Sequence, residues 1–197
     1  MAYQRGERQT ARTKRAIIDG LIALLREKGY QVITIQDVVA RANIGRSTFY
    51  RYFATKADIV VAMHDAIFAR VQLMPTTAAE WLAAEPPPSL GETLRQFQQP
   101  GISPFYFAGQ LGEDADYVLQ QIDELLAKAV EAALHRAFDE AVSGVPFAIL
   151  ARAIAGSYTW LARYGIDDPQ RPAPAQMARY IHRLQRAMIV DALGLGR

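Results

Sequence analysis

The residues best equipped for recognition chemistry fall in one short stretch. Arg46, Ser47, Thr48, Tyr50 and Tyr52 lie within seven positions of one another. Helical spacing places Phe49 and Phe53 on one face, toward a core, and leaves the donor-rich residues facing outward or to the sides. Such a face can meet phosphates and base edges: arginine binds guanine at two acceptors, and threonine packs on a thymine methyl. Lys56 and Thr34 stand at the starts of the neighbouring helices, where backbone N–H groups already favour an anion. Arg12, Lys14 and Arg15 add further positive charge. Other chemistries find little support. With no cysteine, thiolate metal sites, disulfides and cysteine nucleophiles are excluded. His64, His135 and His182 are isolated, without His-Glu-x-x-His spacing, and no glycine-rich phosphate loop occurs. The expected catalytic residues, metal ligands and cofactors are therefore none, and an enzyme is not expected.

The elements that must hold these residues read as helices. The segment from Thr10 carries Ile17, Ile18, Leu21, Leu24 and Leu25 at helical spacing and stops at Gly29. Thr34 with Asp37 forms a Thr-x-x-Asp cap for a second helix. Asn43-Ile44-Gly45 makes a tight turn, and a third short helix runs over 46–53. Thr55 and Asp58 open a fourth, expected to reach 73. Two short helices joined by a tight turn suit a helix-turn-helix. By pattern alone they also suit an ordinary helical hairpin with a charged outer face.

The chain has 197 residues and a net charge of +2. Residues 1–60 carry a net +6 and residues 61–197 a net −4, so a basic head precedes an acidic remainder. Beyond residue 73, prolines and glycines separate further helical periods over 77–84, 89–98, 113–142, 147–164 and 175–193, with an aromatic-rich stretch at 104–111. About nine helical segments and no convincing strand predict an all-α fold. No apolar run approaches the ~18 residues needed to cross a bilayer, and the polar N-terminus lacks the apolar stretch of a secretory signal. A cytoplasmic protein without membrane contact is expected.

The run from Gly29 to Ile59 resembles the DNA-binding domain of TetR-family transcriptional regulators. Its Thr34 start, its helix-turn-helix, its Thr48-Phe49-Tyr50-x-x-Phe53 core and its Lys56 occur at family spacing. The resemblance covers about residues 10–60. It implies DNA contacts from Thr34, Arg46, Thr48, Tyr50, Tyr52 and Lys56, to which the outward Ser47 is added. Two positions depart from the family pattern. Asn43 stands where glycine is usual, and asparagine tolerates the left-handed turn. Gly45 stands where serine or threonine is usual, so a hydroxyl cap or one phosphate contact is missing.

The expected organisation is a flexible basic arm (1–9), a helix-turn-helix DNA-binding domain (10–60) and a helical ligand-binding and dimerisation domain (61–197), the last implied by the resemblance. Candidate ligand residues are His64, Trp81, Phe97, Phe105, Tyr106, Phe107, Gln110, Tyr117, Tyr158 and Trp160; each aromatic could equally be core. Candidate dimer residues are the stripes Phe147, Leu150, Ile154, Leu161 and Ile181, Leu184, Met188. The expected partners are double-stranded DNA bearing a palindromic operator, a second copy of the chain, and a small, mostly apolar effector that releases a repressor from its operator. An activator, or a DNA-binding dimer without an inducer, remains the alternative.

Overall fold

The computed structural model describes residues 2–69, 73–97, 108–167, 170 and 172–196, with side chains except those of 2–5, 97, 108 and 160–167. Among the described residues there are nine α-helices and no strand. They are α1 (Ala2–Glu27), α2 (Ile35–Arg41), α3 (Arg46–Tyr52), α4 (Lys56–Phe68), α5 (Ala78–Leu82), α6 (Pro88–Phe97), α7 (Ala115–Ala137), α8 (Phe147–Asp167) and α9 (Pro174–Ala192).

Two boundaries differ from expectation. Residues 2–9, expected as an arm, form the first turns of α1. Residues 6–9 are exposed, and a helical turn without an apolar stripe looks like coil to a periodicity argument. Helix α4 ends at Phe68, short of the expected 73, and Leu73 is buried outside any helix.

The chain divides into two compact units. The first comprises residues 1–66 together with 107–119. The expected head of 10–60 is thus incomplete, since a segment from the middle of the sequence belongs to it. Its core buries Ile17, Leu21, Val38, Phe49 and Ile59 completely. Burying a phenylalanine is worth about 2–3 kcal/mol, so Phe49 inside fixes the rotation of α3 and sends its polar residues outward.

The second unit comprises residues 67–106 and 120–197. Here α9 packs against α5, α6 and α8. Trp81, Leu90, Phe147, Ile154, Ile181 and Ile189 are fully buried in it. Helix α7 begins in the first unit and continues into the second. None of the helices is long and apolar enough to cross a membrane, among the described residues.

Candidate nucleic-acid interface

Helix α2 starts where its sequence says it must. The Thr34 side chain accepts the Asp37 N–H at 3.1 Å, and Asp37 Oδ2 accepts the Thr34 N–H at 2.8 Å, a complete capping box. These backbone and hydroxyl hydrogen bonds, with Lys28 at 3.0 Å, hold the Asp37 carboxyl down at about 2. The helix ends in a Schellman turn. Ile44 N–H donates to the Val39 carbonyl at 3.2 Å, and Asn43 N–H to that of Ala40 at 3.2 Å. Asn43 sits between them at φ 51°, the left-handed conformation the turn requires. Gly45 then caps α3 without a side-chain hydrogen bond, as its missing hydroxyl implies.

At Gly20, α1 passes close to this turn, with room for no more than a methyl group. A Cβ there would lie 3.5 Å from the Ala42 nitrogen and 3.6 Å from its Cβ. A larger side chain would push the turn away from α1.

Helix α3 presents the expected face. Arg46, Ser47 and Tyr50 are exposed, Thr48 and Tyr52 half-buried, and Phe49 and Phe53 buried. The Tyr50 ring stands edge-on to Phe49, with centroids 5.3 Å apart, which stiffens an otherwise free side chain. Tyr52 is tied back toward α1: hydrogen bonding from Thr10 holds its phenol below the usual value. The Thr34 hydroxyl is exposed but already donates to Asp37 at 2.8 Å.

Lys56 corrects the sequence reading. Its ammonium turns inward, donating to the carbonyls of Tyr30 at 2.8 Å and Ile33 at 2.9 Å. It also lies 3.9 Å from the centre of the Tyr30 ring. Burial lowers its pKa, against the pull of Asp114. Residues 30–32 form a single 3-10 turn, and Lys56 bridges the carbonyl at its start to that of its C-cap residue, Ile33. It braces the head, its ammonium engaged by two backbone carbonyls rather than directed outward.

The same region holds Tyr30, which spacing did not single out, and Tyr117, which was expected among the ligand residues. Tyr30 donates its hydroxyl to Asp114 at 2.7 Å, and burial with that carboxylate pushes its phenol far up. Tyr117 donates to Asp58 at 2.7 Å. Asp58 also accepts the N–H groups of Ala54 and Thr55 at the start of α4. Burial raises its pKa, but these hydrogen bonds outweigh it and hold the carboxyl below its usual value.

The candidate ligand residues that the structure describes are divided between the two units. His64, Gln110 and Tyr117 belong to the first unit. His64 is buried with Nδ1 donating to the Val60 carbonyl at 2.7 Å, and Tyr117 is exposed. Trp81 and Tyr158 are buried in the second unit, where Tyr158 donates to the Leu73 carbonyl at 3.0 Å. Phe105, Tyr106 and Phe107 lie outside the described residues, as do the side chains of Phe97 and Trp160.

The candidate dimer stripes split between buried and exposed positions. Phe147, Leu150, Ile154 and Ile181 are buried within the single chain. Leu184 is exposed and Met188 half-buried, while the Leu161 side chain lies outside the described residues. Among the described residues, the large apolar side chains left in solvent on α8 and α9 are Ile149, Tyr180 and Leu184. Periodicity finds the buried stripe first, because that stripe is the more hydrophobic.

A helix-turn-helix with an exposed, donor-rich second helix, on an all-helical chain, defines a helix-turn-helix protein. Residues 17–63 match the family model of bacterial regulatory proteins of the TetR family. The transcriptional repressor KstR of Mycolicibacterium smegmatis is 33% identical over 73 residues, 37% of this chain and 35% of that one. The aligned stretch thus spans about a third of the curated relatives' length. A TetR transcriptional regulator from Streptococcus agalactiae aligns over 93% of this chain and 98% of its own, with TM-score 0.54 and 24% identity. RolR, solved in complex with the ligand resorcinol, aligns over 92% and 95%, with TM-score 0.57 and 17% identity. The two structures carry the fold over nearly the whole chain. The match to the TetR family lies in the helix-turn-helix head, residues 17–63. The matched relatives are transcriptional regulators and not enzymes.

Proposed function

We propose that the chain is a sequence-specific DNA-binding regulator, a homodimeric repressor released from a palindromic operator by a small, mostly apolar molecule. The observation that carries this reading is the face of α3. Arg46, Ser47 and Tyr50 are exposed together on a helix whose register is fixed by buried Phe49 and Phe53. Arg46 reads a base edge; Tyr50, Ser47 and Thr48 set the helix against the backbone. The exposed arginines of α1, Arg8, Arg12 and Arg15, recur at helical spacing and supply phosphate contacts. One seven-residue helix contacts too few bases for useful specificity. Two copies reading half-sites about one turn apart do better.

The second copy is seated on the exposed apolar residues of α8 and α9, Ile149, Tyr180 and Leu184. An effector favours a conformer in which the two heads are wrongly spaced, through its differential affinity for the two conformers. Such a protein works where bacterial DNA is, in the cytoplasm.

The test is selection of bound fragments from genomic DNA, followed by fluorescence anisotropy on the recovered motif. A palindrome bound by two chains, with affinity falling steeply as salt rises, is the expected result. Recovery without any motif refutes sequence-specific recognition by this head.

A further inference from the structure

Among the described residues, three buried side-chain atoms have no hydrogen-bond partner: Trp81 Nε1, His182 Nδ1 and Gln185 Oε1. All three residues belong to the second unit and are almost wholly buried. Trp81 lies on α5, and His182 and Gln185 lie on α9, which packs on both α5 and α8. His182 Nε2 lies 2.9 Å from the carbonyl of Ala83, two residues beyond Trp81. Gln185 follows His182 by one turn of α9, and its Nε2 donates to Ser157 Oγ of α8 at 3.3 Å. A buried polar atom left unpaired forfeits the water it would bond when exposed, so three in one unit need a reason.

The neighbours fix which sign each orphan carries. A carbonyl only accepts, so His182 Nε2 bears a proton, and in that tautomer Nδ1 is a bare acceptor. The Ser157 hydroxyl already donates to the Ile154 carbonyl at 2.6 Å. The Tyr158 hydroxyl, which also faces Gln185, already donates to Leu73. Both can only accept from Gln185. Its amide nitrogen must face them, and Oε1 must face away. The three side chains therefore offer one donor, Trp81 N–H, and two acceptors. The hydroxyl is the smallest group that serves both signs.

We infer that Trp81, His182 and Gln185 form the polar end of an effector subsite for a small, uncharged, hydroxyl-bearing molecule. This rests on the effector reading above and names its ligand chemistry. The ligand is neutral because the buried side chains here, Trp81, Tyr158, Thr159, His182 and Gln185, hold no fixed charge to compensate an ion. Arg186, the nearby cation, is exposed and donates to the Leu82 carbonyl at 2.8 Å.

Phenol and toluene are the probes, alike in shape and differing in the hydroxyl. Titration calorimetry on the whole chain is expected to give phenol at least about tenfold tighter binding than toluene, the effect of a buried hydrogen bond. In Gln185→Met the preference is expected to collapse toward unity while the free protein melts no lower than the parent, since an unpaired acceptor has been removed. Ser157 keeps its bond to Ile154 in that variant. Trp81→Phe, which deletes the orphan N–H, gives an independent reading of the same preference. Equal affinities for the two probes, or no phenol binding, overturn the subsite. A preference that survives both substitutions also overturns it. Anisotropy of the DNA complex with phenol separates the two claims: hydroxyl-dependent binding that leaves DNA bound supports the subsite and overturns the effector reading.

Discussion

The Tyr30 hydroxyl donates to the Asp114 carboxylate at 2.7 Å, joining residues 84 positions apart in sequence. Tyr30 is almost wholly buried, and its backbone carbonyl is the same one that receives Lys56. One residue therefore ties the 3-10 turn before α2, the first turn of α4 and the segment before α7. Tyr30→Phe keeps the ring and deletes only the donor. A hydrogen bond to a charged acceptor contributes about 1.5–3 kcal/mol, and a loss of that size in urea denaturation is expected. An unchanged midpoint would show that the bond is matched by water.

Lys56 separates bracing from DNA contact. Lys56→Met is expected to lower the urea midpoint, because two carbonyls lose their donor. The slope of log affinity against log salt should stay as in the parent, since no phosphate contact is lost. A slope reduced by about one unit, at unchanged stability, would return Lys56 to the DNA-facing set. Arg46→Ala is the contrasting variant: full stability, with relaxed preference at one base pair and a cost of about 1–3 kcal/mol.

The capping box makes the head acid-sensitive. Folding lowers the Asp37 carboxyl from 3.8 to about 2. A carboxyl depressed on folding stabilises above its unfolded value and loses that contribution as pH falls through the folded one. The contribution of Asp37 is therefore intact at neutral pH and disappears between about pH 4 and 2. Asp58, also depressed, acts in the same direction. Denaturation midpoints at pH 6 and pH 3 should differ less in Asp37→Asn than in the parent. An equal pH dependence in the two would remove the cap as its cause.

Leu184→Glu tests the dimer face. Leu184 is exposed in the single chain, so the substitution should leave the melting of the monomer near that of the parent. Sedimentation is expected to show a weakened dimer, and binding to a two-half-site operator should fall with it. Ile154→Ala, a fully buried position, should instead cost about 2–5 kcal/mol of stability.

Gly20→Ala completes the set. The added methyl meets Ala42 at ordinary contact distance, and glycine inside a helix costs about 1 kcal/mol relative to alanine. A rise in melting temperature is expected, with DNA affinity kept.

What could be read in the sequence was local. Thr34 with Asp37, Asn43 in its turn, and Phe49 with Phe53 all act within a few residues, so spacing carries their geometry. The inward turn of Lys56 was not legible, because its acceptors lie 23 and 26 residues earlier. Nor was the pairing of Tyr117 with Asp58, 59 residues apart. The stripes on α8 and α9 marked burial correctly at Phe147, Ile154 and Ile181, but periodicity does not say whether the cover comes from the same chain.

The membership of residues 107–119 in the first unit bears on how such proteins are recombined. A head transplanted as a continuous block ending near residue 60 or 66 would leave behind the acceptor of Tyr30 and the donor to Asp58. Its recognition helix would be intact in sequence yet mounted on a loosened frame. A chimera built to carry this operator preference onto another regulator should therefore bring Asp114 and Tyr117 with it. The exchangeable part is defined by its hydrogen bonds, and not by a cut in the chain.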